Sequence, residues 1–252
     1  MSGRLMIGLV LGMLAFGRAS LGVDTTAATS ADTKSFLTDH LEIGTRITYF
    51  RLLNENDKSF LGSIDHLGDS QDYNPSKVFV DWLFCPYGGL ELTWDRIEAV
   101  ATTSTSDNHT DGKFLLDGPI LTAFARYPNK SILTPYAGVG VAYYHTDFEA
   151  QDWWAQGFAS PQDFVDFGKP STDRNNKGRA ISTDTTAGFV ATAGTAIKIT
   201  KNWSADLYFR YSSINLDAHF MLTTDGQVSD DKGHYGIPFD NVTGGVGVKY
   251  VF

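Results

Sequence analysis

The sequence holds one cysteine, Cys85, in 252 residues, which rules out an intrachain disulfide and argues against a small secreted scaffold held by disulfides. Long hydrophobic runs are missing too. The longest, Leu5 to Phe16, is about 12 residues against the roughly 20 a spanning helix needs, and later apolar stretches are broken every few residues by Gly, Asp, Glu or Thr. Any segment that crosses a membrane is therefore expected to be a strand. Basic residues are scarce: 20 Lys and Arg stand against 29 Asp and Glu, and a net charge of −9 gives nucleic acid no electrostatic footprint. No helical period competes along the chain. The 6 histidines form no HExxH or His-x-His pattern, and no Gly-x-Ser-x-Gly occurs.

What is present begins at the N-terminus. Arg4 precedes the apolar run, and Gly17, Ala19, Ser20 and Gly22 follow it, the layout of a secretory signal peptide cleaved after Ala19 or Gly22. Residues 1–22 read as that signal, with no lipobox cysteine after it, and residues 23–39, rich in Thr, Ala, Ser and Asp, as a flexible lead-in. Residues 40–252 carry the folded part.

Alternation starts at Leu41, where Leu41, Ile43, Thr45, Ile47 and Tyr49 oppose Glu42, Gly44, Arg46 and Thr48. It is clearest at Trp203 to Ser212, with Trp203, Ala205, Leu207, Phe209 and Tyr211 on one face and Ser204, Asp206, Tyr208, Arg210 and Ser212 on the other. Further strands are expected over 77–85, 89–99, 114–127, 133–146, 185–199 and 242–252. In 114–127 and 185–199 small residues occupy both faces and leave the register open by one.

The connections sort by length. Tight turns are expected near Pro86 to Gly88, Pro128 to Lys130 and Thr200 to Asn202, and long loops over 53–75, 102–113, 148–184 and 217–241. This sorting predicts an all-β fold: an eight-stranded antiparallel up-and-down transmembrane β-barrel with short periplasmic turns and long extracellular loops.

The chain ends inside its last strand, with Val246, Val248, Tyr250 and Phe252 on one face. With that terminal aromatic, the run Pro135 to Tyr144 and the strand Trp203 to Tyr211, the chain resembles the small barrels of the OmpW, OmpA-transmembrane and opacity-protein group. The resemblance implies the outer membrane of a Gram-negative bacterium and a monomer in contact with lipid and lipopolysaccharide. It also implies that Tyr250 and Phe252 serve as the C-terminal signal for barrel-assembly machinery.

If the apolar faces meet lipid, Glu42, Arg46, Lys77, Asp81, Glu91, Asp95, Asp206, Arg210 and Lys249 point inward as a network of both signs. Within the longest loop, Trp153, Trp154, Phe158, Phe164 and Phe167 are candidates for recognition, for closing the mouth or for packing on one another. Ser160-Pro161-Gln162-Asp163 predicts a short helix stopped by Gly168. His145 near Asp147 is a poor fit to a lipid-modifying site. The acidic clusters at 55–72 and 225–240 read as solvated, with no EF-hand order of ligands.

The reading is thus a non-enzymatic structural or surface-interaction barrel with a largely plugged lumen, without catalytic residues, cofactor or metal. A narrow OmpW-like conduit for small hydrophobic or ionic solutes is the alternative, and a lipid-acting barrel enzyme a more distant one.

Overall fold

The computed structural model describes residues 40–53, 66–69, 77–102, 109–158, 160–167 and 177–252. The signal and lead-in segments lie outside these residues, as does Gly168. Among these described residues eleven strands form: β1 (Leu41–Leu52), β2 (His66–Asp69), β3 (Lys77–Cys85), β4 (Gly88–Thr102), β5 (Thr110–Arg126), β6 (Leu133–Ala150), β7 (Lys177–Thr183), β8 (Thr186–Lys198), β9 (Trp203–Thr224), β10 (Gln227–Pro238) and β11 (Asn241–Val251). Between β6 and β7 lie two short helices, α1 (Asp152–Ala155) and α2 (Pro161–Phe167).

Eight of these strands close a ring in the order β1-β3-β4-β5-β6-β8-β9-β11, every neighbour antiparallel. The first and last strands zip together from Glu42↔Val251 to Leu52↔Asn241, so the ring has no free edge. The other three strands prolong members of the ring. β2 pairs with β4 beyond β3, while β7 and β10 flank the upper part of β9 beyond β8 and β11. The joints stay hydrogen-bonded, with Asp184 N donating to Asp217 O at 3.2 Å and Phe239 N to Ile214 O at 2.8 Å.

The tight turns fall where the sequence places them, at Pro86–Tyr87, 127–132 and 199–202. Parts of the long connections carry strand where loop is expected. Residues 217–241 form a hairpin instead of an irregular loop, because β9 runs on for 22 residues and reverses at Asp225-Gly226. Both turn residues have positive φ, 53° and 75°, the backbone a tight two-residue hairpin turn requires and Asp-Gly tolerates. Within 102–113, β4 ends at Thr102 and β5 already begins at Thr110.

The reason for the longer strands is an inversion of polarity. Along the lower part of β9, Leu207 and Phe209 face out while Asp206 and Arg210 are buried; from Ile214 upward, Ile214, Leu216, Ala218 and Phe220 are buried while Asn215 and Asp217 face out. β4 inverts after Asp95, where inward Glu91, Thr93 and Asp95 give way to Ile97, Ala99 and Ala101, and the outward face turns from Leu90, Leu92 and Trp94 to the ion pair Arg96–Glu98. β1 inverts between Arg46 and Phe50, and the outward face of β6 changes from Val139, Val141 and Tyr143 to His145, Asp147 and Glu149.

A strand facing lipid must be apolar outside, because an outward Arg or Lys at the bilayer midplane costs about 2–4 kcal/mol. A strand facing water must be apolar inside. The inversion therefore marks the outer surface of the membrane. Trp203 to Tyr211 covers about 27 Å of strand, about 20 Å of height at the ~40° tilt usual in such barrels. Aromatic side chains mark both edges of this belt: Trp82, Phe84, Tyr127, Trp203 and Phe252 below, Tyr49 and Tyr143 above, all exposed. Trp94 also belongs to the upper edge, its indole donating to Asp117 at 2.7 Å.

Candidate functional site

All nine inward-facing charged residues expected from alternation lie on the interior of the ring, and the structure brings them together in three tiers. Sequence reasoning omitted a tenth, Arg126. In the lowest tier Lys249 bridges Glu42 at 2.5 Å and Asp81 at 3.5 Å, and Arg126 reaches Glu42 at 2.7 Å while its Nε donates to the Pro86 carbonyl at 2.8 Å. Arg126 sits on β5, where Thr122, Ala123 and Ala125 make both faces small. The usable signal was its even-numbered parity with Ile120 and Thr122.

In the middle tier the Arg46 guanidinium makes two parallel bonds to Glu91, at 2.8 and 2.7 Å, and its Nε donates to Asp206 at 2.5 Å. Its plane lies between the rings of Phe79, 3.7 Å away, and Tyr208, 4.1 Å away. Gly44 makes room for this stack, since a Cβ there would fall inside the Phe79 ring and against the Val248 carbonyl. Tyr136 Oη donates to the second Asp206 oxygen at 2.9 Å, and Thr93 Oγ1 to Glu91 at 3.0 Å. The upper tier centres on Asp95, which pairs with Lys77 and Arg210 and accepts from Tyr144 Oη at 2.8 Å. Arg210 also donates to Thr243 at 3.3 Å.

Five carboxylates thus meet five cations drawn from six of the eight ring strands. Burying a charge without a partner is prohibitive, whereas a bidentate pair with its remaining lone pairs satisfied is tolerated. A cavity of about 200 Å³ lies in the lower half of the interior, lined by Arg46, Arg126, Tyr136, Lys201 and Lys249 with Glu42, Asp81 and Glu91.

Above Asp95 the interior becomes an apolar core. Phe114 packs on Phe148 (4.6 Å between ring centroids) and Phe239 (5.7 Å), with Leu52, Leu67, Ile97, Leu116, Ile214, Leu216 and Ile237 around them. Three aromatics of the long connection enter this core. Trp154 is 0% exposed, Phe158 1% and Trp153 6%. Trp154 meets Phe148 at 5.5 Å and Phe220 at 6.2 Å, and the Arg179 guanidinium lies 5.6 Å from its ring. Burial lowers the pKa of Arg179, and Asp111 offsets part of that effect.

The backbone explains how α1 delivers these rings. Phe158 N donates to Trp153 O at 3.0 Å and Gly157 N to Trp154 O at 2.9 Å, with Gly157 at φ 77°, a Schellman cap that turns Phe158 back onto the helix. α2 forms where the sequence places it. Ser160 Oγ accepts from Asp163 N at 3.1 Å, Pro161 opens the helix, and Phe164 packs on Phe158 at 5.3 Å. The Phe167 side chain lies outside the described residues. Of the five aromatic candidates, three are therefore interior and Phe164 covers them.

At the opposite end Tyr250 packs against Trp203 and Phe252, each at 5.1 Å, on the outward face. His145 also faces outward, on β6 opposite Asp117, away from the interior network.

No protein-family model and no curated protein sequence matches the chain. Among solved structures it is similar to the outer membrane protein OprG of Pseudomonas aeruginosa, at 13% identity over 84% of this chain and 96% of that one, with a TM-score of 0.56. AlkL, an outer membrane protein solved in lipid bilayers, matches at 15% identity over 84% and 90% of the two chains, with a TM-score of 0.50. The E. coli outer membrane protein W aligns over 84% of this chain and 97% of its own at 16% identity and a TM-score of 0.44. At such identities the likeness to OprG and AlkL speaks for the fold, and the apolar belt with its polarity inversion supplies the physical setting. The chain is a small eight-stranded antiparallel β-barrel with the fold of Gram-negative outer-membrane barrel proteins.

Proposed function

We propose that the protein is a closed, non-enzymatic surface barrel whose extracellular β-extension is its working part. The observation that carries this reading is the occupancy of the interior at two levels, ion pairs across the membrane-spanning half and packed aromatic rings across the outer half. An eight-stranded barrel is only wide enough for its own side chains, so no standing aqueous path is expected. Outer-membrane lipid and lipopolysaccharide are its surroundings in this reading. Tyr250 and Phe252 are what barrel-assembly machinery would recognise.

Purified protein in planar bilayers should give no steady single-channel conductance. Reproducible conductance steps from the unmodified chain would overturn the reading.

One observation favours a second reading. The outer half of the interior is apolar, so displacement of Trp154 and Phe158 would expose a surface suited to a hydrophobic solute, not to an ion. Uptake of a hydrophobic fluorophore into vesicles bearing the protein, with conductance still absent, would favour this conduit over the closed barrel.

A further inference from the structure

Above the membrane, the outward face of the β-extension carries a group of side chains that no other part of the account uses. β9 presents Asp217 and His219. Directly across from His219 on β10 stands His234, and the joint between β7 and β8 brings Asp184 beside Asp217. Ligand atoms of Asp184, Asp217 and His234 all lie within 4.8 Å of one another, and His234 Nδ1 is 3.3 Å from Asp217 Oδ1. Asp217 and His234 come from the adjacent strands β9 and β10 and Asp184 from the β7–β8 joint, and all three are solvent-exposed.

Two further contacts hold the imidazole in place. The ring of His219 stacks on that of His234, centroids 4.1 Å apart and planes 10° from parallel. His219 Nε2 is fixed in turn by Asp231 Oδ1 at 2.6 Å. Asp231 is itself oriented by the Gly233 amide at 2.9 Å, and that bond, with His219 second, holds its carboxyl below the usual carboxylate range. Gly233 has φ 98° at a bulge of β10, a backbone form that favours glycine. Among the described residues, no Lys or Arg bridges Asp184 or Asp217.

We propose that Asp184, Asp217 and His234 form an extracellular site for a divalent transition-metal ion of the zinc class, with His219 as a positioning residue. One imidazole nitrogen and two carboxylate oxygens with a fourth position open to water is a donor set zinc accepts, whereas calcium and magnesium take oxygen ligands almost exclusively. The carboxylate–imidazole contact behind His219 is the type of support that fixes ring orientation around metal sites. Binding would clasp the β7–β8 joint to the β9–β10 hairpin.

The test is calorimetric titration of ZnCl2 into the full chain folded in detergent micelles, with folding of every variant checked by heat-modifiable gel mobility. One zinc per chain is expected, with affinity at least 10-fold weaker in His234→Ala and in Asp217→Asn. His219→Phe keeps a stacking ring without a nitrogen and should weaken binding less than threefold. Equal zinc affinity in the unmodified chain and in both ligand variants would overturn the site, as would calcium binding in preference to zinc.

Discussion

Replacing Arg46 with alanine is expected to destabilise the barrel by about 3–5 kcal/mol, because it leaves Glu91 and Asp206 buried without their common cation. The loss exceeds that of one ion pair, since the guanidinium also fills the space between the Phe79 and Tyr208 rings. The measurement is the urea midpoint of the folded form in lipid vesicles, read from heat-modifiable gel mobility. If uncompensated charge is the cause, adding Glu91→Gln and Asp206→Asn to Arg46→Ala should recover a large part of the loss. A loss under about 1 kcal/mol for Arg46→Ala would mean that water reaches these carboxylates and that the tier is solvated.

Trp154→Ala should cost a comparable amount, about 3–5 kcal/mol, but in a different place. Trp154 is fully buried against Phe148 and Phe220, so its removal opens a cavity in the outer core and leaves the ion-paired tiers untouched. Hydrogen exchange should rise across residues 152–158 and 177–183 and the upper part of β9, while the membrane-spanning strands keep their protection. Uniform loss of protection through the whole ring would show that the two halves fold as one unit.

The contrast between these two variants follows from the polarity inversion, which also explains how much of the molecule was legible in the sequence. Period two survives along the whole of β9, yet the apolar face changes side between Tyr211 and Ile214. A search for one continuous apolar face stops at Ser212, and the acidic residues that follow look like loop. The Asp225-Gly226 pair was the available sign of a hairpin.

The charged interior was readable because Glu42, Arg46, Asp206 and Arg210 alternate with large apolar residues that can only face lipid. Arg126 was harder to read, because Ala123 and Ala125 leave the outward face of β5 small there and only the parity with Ile120 and Thr122 points it inward. The burial of Trp153 and Trp154 depends on a loop folding back into a core built by distant strands, a tertiary contact with no local signature. The same holds for Asp184, Asp217 and His234, which lie far apart in sequence and meet only through strand register.

The central claim is that the polarity inversion marks the membrane surface, and cysteine labelling on intact cells tests it most directly. In a Cys85→Ser background, single cysteines at Val139 and Leu207 on the outward face of the belt are compared with cysteines at Glu149 and Asn215 on the same faces of β6 and β9 above it. A membrane-impermeant maleimide should label Glu149→Cys and Asn215→Cys readily and leave Val139→Cys and Leu207→Cys unlabelled until the protein is denatured. Equal labelling at all four positions, or purification of the folded chain without detergent, would contradict the account.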